Sequence, residues 1–579
     1  MKSEIQKFFK GEVEDDEKTL VKYSHDASLL EVRPKLVLFP IDSEDVKNLI
    51  KWVNENKQNK EKYGELSITA RCAGTDMSGG AIGESIILDF SRHMNKLIGG
   101  PLPLDGISKK KTNQKFKNYP LVPSYITVEP GMFYRDFEKI TLAKGLILPC
   151  YTASKSINAM GGMFGNNSAG ERTLKYGKTE DYILSTKVVF SDGNEYVVKP
   201  LSRFNLDNKI AQGDFEGNIY KNIFDLINEN DEEIKHAKPN VHKNSAGYYI
   251  WNVIQNNAFD LNKLLVGSQG TLGIATEITF KLVPENKYSK LMAIFMDDLA
   301  PLGRLVDEIL ELNPETLEAY DDKTMKLAVK FFPDFLKNKG LSGMIKFMWN
   351  FLPELFMMIT GGFPKLILLA EFAGDNEVEV NEQCVKLEEK IKNFELKIYI
   401  TKSQAEANKY WDIRRESFAL LRKHIKGKRT APFIDDIIVR PEFLPKFLPE
   451  LNGVLTKYDL TYTLAGHAGD GNFHIIPLMD FSRPDTAKII MELGEKVYDL
   501  VMKYHGSITA EHNDGIIRTP YLEKMYGDKI VSIFTEIKNI FDPKNIFNPG
   551  KKIVTQNLGG TKEYIASHIA VEHYADHKV

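Results

Sequence analysis

Apolar residues in the first half of the chain switch between strand-like and helix-like spacing. The run LVLFP predicts a short strand, and the residues after it place four apolar side chains on one face of a helix, at Val46, Leu49, Ile50 and Val53. LSITAR, SIILDF and YITVEP are further strand-like runs, while YRDFEKITLAKG again has helical spacing. This mixture of strands and amphipathic helices predicts an α+β fold.

The pattern changes near residue 286, where a second layer of alternating strands and helices begins. KLMAIFMDDLAPLGRLVDEILEL predicts a strand and a helix, and PKLILLAEFAG, a long charged helix and LKIYIT continue the layer. Because the chain has 579 residues, two or three domains are expected. We predict a lead-in over 1–30, a first domain over 31–285 with a Pro/Gly/Lys-rich surface insertion at 99–123, a second domain over 286–555 with an apolar insertion at about 335–362, and a loosely held tail over 556–579.

The apolar insertion contains GMIKFMWNFLPELFMMITGGF, which Pro353 and Gly361-Gly362 interrupt. It is too short and too broken to span a bilayer. Three interpretations stay open for it: a buried or lid helix, a peripheral contact with a membrane, and a subunit contact such as a homodimer would use.

Composition and charge remove several classes of protein. The formal net charge of −3 gives no whole-chain reason to expect nucleic acid. Cys72, Cys150 and Cys384 form no CxxC pair, which disfavours a zinc knuckle, an iron–sulfur cluster or a disulfide scaffold. The N-terminal residues contain no apolar core of a signal peptide. We therefore predict a cytoplasmic protein, peripheral on the inner face of the membrane if the apolar insertion docks there.

Four stretches rich in Gly, Ser and Asn follow strand-like runs or stand between them. AGTDMSGGA exposes backbone N–H groups without bulky side chains, which suits a phosphate, although an ordinary glycine-rich turn explains that loop alone equally well. GGMFGNNSAGERT is too rich in Gly and Asn for a core helix, so we predict backbone lying against a ligand there, followed by a hairpin that turns at Asp192-Gly193. KNSAGYY and GSQGTLG repeat the theme, and a strand-like run follows GSQGTLG, so a nicotinamide Rossmann site is disfavoured.

The stretch GHAGDGNFH carries the most specific chemistry in the chain. It places His467 and His474 on either side of a predicted tight turn between two strands, and Glu511-His512 follows further along. Two His and one Glu make a metal-ligand set that leaves positions open for a substrate, with Zn²⁺ or Mn²⁺ as candidate ions. His512 would then be free to move a proton. The alternative is that these are turn-capping and core histidines.

Taken together, these stretches resemble the FAD-linked oxidases of the vanillyl-alcohol-oxidase and p-cresol-methylhydroxylase (PCMH) flavoprotein superfamily. The similar branch contains D-lactate, glycolate and D-2-hydroxyglutarate dehydrogenases, and the resemblance covers roughly residues 20–553, ending at FDPKNIFNPGK. It implies a two-subdomain PCMH-type FAD-binding domain followed by an α+β, ferredoxin-like cap domain.

The resemblance also implies the residues of the site. FAD, bound without a covalent link, would contact Cys72, Ala73, Gly74, Thr75, Asp76, Met77 and Ser78 near its pyrophosphate, and Gly161, Gly162, Asn166, Asn167, Ser168, Gly170, Gly177 and Ile274 near its flavin. A divalent metal would bind His467, His474 and Glu511. The proposed base is His512, and Arg414 from YWDIRRESF would bind the substrate carboxylate.

The implied reaction is oxidation of a D-2-hydroxy acid to the 2-oxo acid by hydride transfer to flavin N5, with a quinone or an electron-transfer protein as electron acceptor. We expect D-lactate first, and glycolate or D-2-hydroxyglutarate next. Two departures from the family pattern weaken the assignment of a dicarboxylate substrate. Asn513-Asp514-Gly515 follows the Glu-His pair where relatives usually have Gly, an aliphatic residue and Gly. Ile475-Ile476 stands where D-2-hydroxyglutarate enzymes tend to carry Asn. The alternatives are a transferase similar to alkyl-glycerone-phosphate synthase, a metal-dependent hydrolase, and a non-enzymatic scaffold that binds flavin or associates with a membrane.

Overall fold

The computed structural model describes residues 1–103, 124–330, 363–424, 427–458, 460–555 and 558–570. The predicted apolar insertion at about 335–362 lies outside these residues, as do most of the surface insertion at 99–123 and residues 571–579 of the predicted tail.

The first sheet has four strands and covers the N-terminal core. Its order is β1-β2-β4-β3, and β4 lies parallel to both β2 and β3. The strands are β1 (Glu12–Glu14), β2 (Leu36–Phe39), β3 (Ile68–Arg71) and β4 (Ile86–Asp89), with helices α1 (Lys2–Ile5), α2 (Glu17–Tyr23), α3 (Ser43–Asn56) and α4 (Lys60–Tyr63). The four apolar residues predicted to share one face of α3 are all buried, and they pack in a core cluster with residues of β2, β3 and β4. That part of the sequence prediction is confirmed.

The second sheet has six strands in the order β5-β6-β13-β8-β9, with β7 paired to β13. The predicted hairpin turns at Asp192-Gly193, where Gly193 has φ +76°. The strands are β5 (Leu97–Pro103), β6 (Ser124–Val128), β7 (Leu146–Ile147), β8 (Ile183–Val189), β9 (Glu195–Val198) and β13 (Ile274–Pro284). A small sheet beside it contains β10 (Leu201–Ser202), β11 (Ile254–Gln255) and β12 (Ala258–Phe259). The helices of this part are α5 (Tyr134–Leu142), α6 (Met160–Asn166), α7 (Thr173–Tyr176), α8 (Arg203–Ile210), α9 (Phe215–Glu229), α10 (Asp231–Ala237) and α11 (Asn262–Leu265).

The third sheet has eight strands and carries the histidine-rich hairpin. The strands are β14 (Tyr288–Met296), β15 (Thr316–Asp321), β16 (Leu366–Gly374), β17 (Lys397–Ile400), β18 (Arg429–Thr430), β19 (Ile437–Ile438), β20 (Thr461–His467) and β21 (Asn472–Met479). Their order is β17-β14-β16-β15-β20-β21-β18, with β19 paired to β21. Strands β14 to β17 and the helices α12 (Leu302–Leu310) and α14 (Glu377–Ile391) form a βαββαβ unit of ferredoxin-like order. The predicted α+β class and ferredoxin-like second layer are confirmed.

Further helices complete the second half and return the chain to the first. They are α13 (Asp322–Lys330), α15 (Gln404–His424), α16 (Leu444–Leu455), α17 (Thr486–Lys503), α18 (Gly515–Arg518), α19 (Leu522–Tyr526), α20 (Asp528–Phe541) and α21 (Lys562–Ser567). The buried face of α20 packs into the core of the second sheet. Among the described residues, no helix combines the length and the apolar character that crossing a bilayer requires.

The prediction of a loosely held tail is wrong for residues 558–570. Ile565 is buried in the core of the third sheet, and the Ala570 N–H donates to the Leu29 carbonyl at 3.0 Å. The Glu31 N–H donates to the His568 carbonyl at 2.8 Å. The polar composition hid one buried isoleucine and a strand-like pairing of backbone groups with a distant segment.

Candidate active site

A cavity of about 350 Å³ lies between the glycine-rich loops of the first half and the β20–β21 hairpin of the third sheet. Twelve residues predicted to contact the cofactor line it: Cys72, Ala73, Gly74, Thr75, Asp76, Met77, Gly161, Gly162, Asn166, Ser168, Gly170 and Ile274. The same cavity is lined by His467, His474, Glu511, His512 and Arg414. The fold therefore brings both sets of predicted residues, which are far apart in sequence, to one space.

Three predicted cofactor residues do not line this cavity and have contacts within the protein instead. The Ser78 hydroxyl donates to Asp76 Oδ1 at 2.8 Å, and Asn167 Nδ2 donates to Glu180 Oε2 at 2.8 Å. Gly177 follows helix α7 with φ +82°, a conformation that favours glycine. These positions shape the loops from behind the lining.

The loop after β3 is held open by one carboxylate. Asp76 Oδ1 accepts hydrogen bonds from the N–H groups of Ser78 at 2.7 Å and Gly80 at 2.9 Å. Gly74 has φ +66°, and a Cβ there would come within 2.3 Å of the Arg71 guanidinium. Arg71 itself lines the cavity and was missed from the sequence, although it is the last residue of a strand that enters a phosphate-suited loop. Its cation is well suited to a pyrophosphate.

The stretch GGMFGNN forms helix α6, so the prediction that its glycines exclude a helix is wrong. Met160, Met163 and Phe164 are buried and anchor the helix, and Asn167 ends it in the left-handed conformation with φ 51°. A Cβ built on Gly162 meets nothing within 4 Å, so this position faces open cavity with bare backbone. A floor without side chains allows a flat ring system to approach closely, and the lining therefore fits an FAD.

Three imidazoles converge on one oxygen of Glu511. Its Oε1 lies 3.2 Å from His467 Nε2, 3.3 Å from His474 Nε2 and 3.9 Å from His512 Nε2. The rings of His474 and His512 stack with centroids 5.0 Å apart, and the His467 ring meets His474 edge-on at 5.3 Å. The β20–β21 register produces this arrangement by placing Ala465 opposite His474 and His467 opposite Asn472.

The far nitrogen of each predicted ligand histidine has its own partner. His467 Nδ1 lies 2.6 Å from Glu318 Oε1, and His474 Nδ1 donates to the backbone carbonyl of Asp435 at 2.9 Å. Metal-binding imidazoles are normally held in this way, with the other nitrogen free for the ion. Together with Glu511 Oε1, the two Nε2 atoms make a donor set that fits a divalent cation and leaves coordination positions open.

Asp436 lies within the separation that a shared ion allows from His474, Glu511 and His512, a set that does not include His467. Its Oδ2 accepts hydrogen bonds from the backbone N–H groups of Ala510, Glu511 and His512 and from the Thr509 hydroxyl. Its Oδ1 accepts from Asn472. Because both oxygens are already used, Asp436 organises the segment that carries Glu511 and His512, and His467 is the better third ligand.

The electrostatics of the cluster favour a cation. Burial lowers the pKa of His467, but Glu318 and Glu511 outweigh it and raise that pKa to about 9. Burial also lowers the pKa of His512, but the charges of Asp436 and Asp435 outweigh it and raise that pKa to about 9. Burial disfavours the charged form of Glu511, yet Lys243 and His467 hold its pKa well below the ordinary range. Because metal binding releases protons from its ligands, a divalent ion here would take the place of protons on the imidazoles.

Two arginines of α15 line the cavity, and each pairs with a carboxylate. Arg414 is 8% exposed and forms an ion pair with Glu318, the residue that also contacts His467. Arg415 pairs with Glu171 at 2.5 Å and stacks on Trp411 with its guanidinium carbon 4.8 Å from the ring centroid. Arg414 is thus coupled to the metal-ligand cluster, whereas Arg415 is held at the half-exposed rim.

Sequence reasoning missed Lys243, Glu318, Asp435 and Asp436. Lys243 is fully buried, with Nζ 2.9 Å from Asp470 Oδ2 and 3.1 Å from Glu511 Oε2. One signal was available in IDDII, because two adjacent acids in an apolar run must be paired if the run is buried. Lys243 and Glu318 gave no such signal, since their partners are distant in sequence.

Profiles of two families match the chain. The profile described as "FAD linked oxidases, C-terminal domain" matches residues 285–552, and the profile described as "FAD binding domain" matches residues 107–199. The two matches show an FAD-dependent oxidoreductase that carries the C-terminal domain of FAD-linked oxidases. The resemblance drawn from the sequence motifs is confirmed at this level.

Solved structures agree on the fold of this oxidoreductase. p-Cresol methylhydroxylase superposes with a TM-score of 0.64 at 17% identity, covering 94% of each chain. An alkyldihydroxyacetonephosphate synthase superposes with a TM-score of 0.62 at 14% identity, covering 95% of this chain and 84% of the other. At such identities the likeness shows the fold alone, which is the predicted PCMH type.

Curated relatives of the oxidoreductase have several substrates in their names. The D-2-hydroxyglutarate dehydrogenase of Escherichia coli (strain K12) is 24% identical over 94% of this chain and 51% of its own length. Glycolate oxidase subunit GlcD of Bacillus subtilis (strain 168) and D-lactate dehydrogenase of Anaerostipes hadrus are each 24% identical over 91% of this chain, and over 91% and 92% of their own lengths. The chain thus spans about half the length of the D-2-hydroxyglutarate dehydrogenase and most of the other two.

Proposed function

We propose that this oxidoreductase oxidises a D-2-hydroxy acid to the 2-oxo acid, with FAD as the electron acceptor in the site and a divalent cation, Zn²⁺ or Mn²⁺, as a second cofactor. The observation that carries the proposal is the convergence of three imidazole Nε2 atoms on Glu511 Oε1 in a cavity that also contains the glycine-rich loops. The names of the relatives support the same class of substrate.

In this proposal the two cofactors occupy opposite sides of the cavity. The loops at 72–77 and 161–170 would hold FAD, which would supply an acceptor for a hydride. His467, His474 and Glu511 would hold a divalent cation, which would supply a Lewis acid beside the substrate hydroxyl. A 2-hydroxy acid suits the open coordination positions because its hydroxyl and carboxylate are placed to chelate one ion.

The protein's own groups then have separate tasks. His512 lines the cavity with its Nε2 beside Glu511 Oε1. A cation bound nearby would lower the pKa of His512 from about 9, so that the neutral ring could accept the hydroxyl proton as FAD accepts the Cα hydride. Arg414 offers a planar, permanently charged partner for the carboxylate. With the flavin on the glycine-rich loops and His512 on the side of the third sheet, the hydride and the proton would leave the substrate in different directions.

The lining on the hairpin favours a small or apolar substrate side chain. Strand alternation directs Ile476 into the cavity, while Ile475 is buried in the core on the opposite face. Ala465 and Thr463 are the neighbouring cavity residues on β20. A second carboxylate placed against Ile476 would lose water without gaining a partner, which is costly. D-Lactate is therefore the first candidate, ahead of glycolate and D-2-hydroxyglutarate.

The alternative activities explain less of the cavity. A metal-dependent hydrolase would use the His/His/Glu cluster, but it would give no role to the glycine-rich loops on the other side of the cavity. A transferase similar to alkyl-glycerone-phosphate synthase would share the fold. That likeness concerns the fold alone and gives no role to the cluster of His467, His474 and Glu511. A quinone or an electron-transfer protein as final acceptor, peripheral membrane contact and a homodimer all stay predictions.

A dye-reduction assay tests the substrate class. We expect turnover with D-lactate to exceed that with glycolate, D-malate and D-2-hydroxyglutarate, and L-lactate to be inactive. The variant Ile476→Asn should shift the preference toward the dicarboxylates, whereas Val385→Asn, on the exposed face of α14, should not. A wild-type preference for a dicarboxylate or for the L-isomer would refute the substrate assignment.

A further inference from the structure

Asp435 occupies a position behind both the proposed base and one proposed metal ligand. Its backbone carbonyl accepts the hydrogen bond from His474 Nδ1 at 2.9 Å, and its carboxylate Oδ2 lies 2.7 Å from His512 Nδ1. The other carboxylate oxygen pairs with Arg518. Asp435 and Arg518 are both completely buried.

We propose that Asp435 is a positioning residue that fixes the tautomer and the ring orientation of His512, so that the His512 Nε2 lone pair faces the substrate hydroxyl. The proposal rests on the proposed function, because it assumes that His512 is the base.

The chemistry of the partners allows only one tautomer in neutral His512. The Asp435 carboxylate is paired with the permanently charged Arg518 and can only accept hydrogen bonds. The contact at 2.7 Å therefore requires that His512 Nδ1 carries the hydrogen. Nε2 is then the unprotonated nitrogen, and it lies on the cavity side, 3.9 Å from Glu511 Oε1.

Arg518 determines what an amide at this position would do. Its guanidinium is anchored by donation to the Asn513 carbonyl at 2.9 Å, and it has no acceptor atoms. In Asp435→Asn, the amide oxygen is drawn to Arg518, so the NH₂ group turns toward His512 Nδ1. That nitrogen must then accept, the hydrogen moves to Nε2, and the base can no longer take a proton there. An aspartate behind a catalytic histidine has this orienting role in serine proteases.

The substitution separates the base from the metal site. The contact to His474 uses the Asp435 backbone carbonyl, which Asp435→Asn leaves in place. Glu318 orients His467, and Lys243 orients Glu511. Neither ligand therefore depends on the Asp435 side chain. Loss of proton abstraction without loss of metal is the distinctive expectation.

The experiment measures flavin reduction in a single turnover with D-lactate, alongside FAD and metal content and the spectral shift on binding oxalate, which cannot be oxidised in the same way. In Asp435→Asn we expect flavin reduction to slow about 10²–10⁴-fold. FAD, metal and oxalate affinity should stay near wild type. The solvent deuterium isotope effect should rise, because proton transfer becomes rate-limiting. Asp499→Asn removes one carboxylate charge at an exposed ion pair with Lys524 and should change none of these.

A double variant distinguishes orientation from general damage. In Asp435→Asn/Arg518→Met the competing cation is gone, so the amide oxygen is able to turn to His512 Nδ1 and restore the productive tautomer. Flavin reduction should then be faster than in Asp435→Asn alone. A double variant that is slower still, an unchanged rate in Asp435→Asn, or loss of metal or FAD in Asp435→Asn would each overturn the assignment. Failure of the wild type to reduce its flavin with every 2-hydroxy acid would instead refute the proposed function.

Discussion

Lys243 offers the sharpest test of how the metal-ligand cluster is held together. It is fully buried between Asp470 and Glu511, with its Nζ within 3.1 Å of a carboxylate oxygen of each. The substitution Lys243→Met keeps most of the volume but leaves two buried carboxylates without this cation. Breaking a buried ion pair in this way costs about 3–5 kcal/mol, because the remaining charge is uncompensated.

The electrostatics of Asp470 give the same order of magnitude. Burial raises the pKa of Asp470, but Lys243 and His242 outweigh it and bring that pKa to about 2. A buried carboxyl whose pKa is held this far below its ordinary value stabilises the folded protein by an amount on the order of a few kcal/mol. Glu511, whose pKa is also held low by Lys243, adds to it.

The assay is urea unfolding of the metal-free protein, with Lys221→Met as the matched control. Lys221 pairs with Asp225 on the exposed face of α9, so its loss should leave the free energy of unfolding close to that of wild type. Adding Zn²⁺ should stabilise Lys243→Met more than wild type, because an ion on Glu511 replaces part of the missing positive charge.

The dependence on pH has a definite sign. In wild type the folded pKa of Asp470 is depressed, so its contribution to stability is present above about pH 4 and is lost as the pH falls toward 2. In Lys243→Met the folded pKa values of both carboxylates rise, although His242 stays beside Asp470 and His467 beside Glu511, so the variant loses less stability than wild type as the pH falls. The difference between the two proteins should therefore narrow on acidification. A Lys243→Met protein within about 0.5 kcal/mol of wild type, with the same pH dependence, would refute the reasoning.

Four further predictions concern the site. His467→Ala should lose the metal and turnover while keeping FAD, as elemental analysis and the flavin spectrum would show, and His236→Ala on exposed α10 should lose neither; metal retained at full occupancy would contradict the ligand set. His512→Ala should lower kcat by about 10²–10⁴-fold with flavin and metal still bound, and a smaller loss would remove it as the base. Arg414→Lys should keep a cation near Glu318 but lose the planar fork, raising KM about tenfold in steady-state assays, whereas unchanged KM would exclude it from the carboxylate contact. Arg71→Met should weaken FAD binding, measured by equilibrium dialysis, and denatured wild type should release its flavin; equal affinity, or flavin left on the chain, would contradict these two expectations.

The sequence predicted the elements whose pattern is local. The face of α3, the hairpin at Asp192-Gly193 and the hairpin that carries His467 and His474 follow from short-range periodicity and turn residues. Helix α6 was not predicted, because glycine has a low helix propensity. In the folded protein, burial of Met160 and Phe164 outweighs that cost. Tertiary packing of this kind cannot be read from one segment.

The candidate site shows the same division. Histidines beside glycine-rich turns could be recognised from spacing, but their supports could not. The cluster is supported from separate loops and strands by Lys243, Glu318 and Asp435. These residues come together only because the third sheet packs against the glycine-rich loops. Strand alternation settled which of Ile475 and Ile476 faces the cavity, once the register of β20 and β21 was known.

We infer above all that the cluster of His467, His474, His512 and Glu511 and the cofactor on the glycine-rich loops act on one substrate. Anaerobic addition of D-lactate to the purified protein, followed by the flavin absorbance, tests it most directly. We expect the flavin to bleach in the metal-loaded protein. Removing the metal with a chelator should abolish bleaching while FAD stays bound, and adding Zn²⁺ or Mn²⁺ back should restore it. Bleaching at an undiminished rate in protein shown to be free of metal, or no bleaching with any 2-hydroxy acid, would contradict the account.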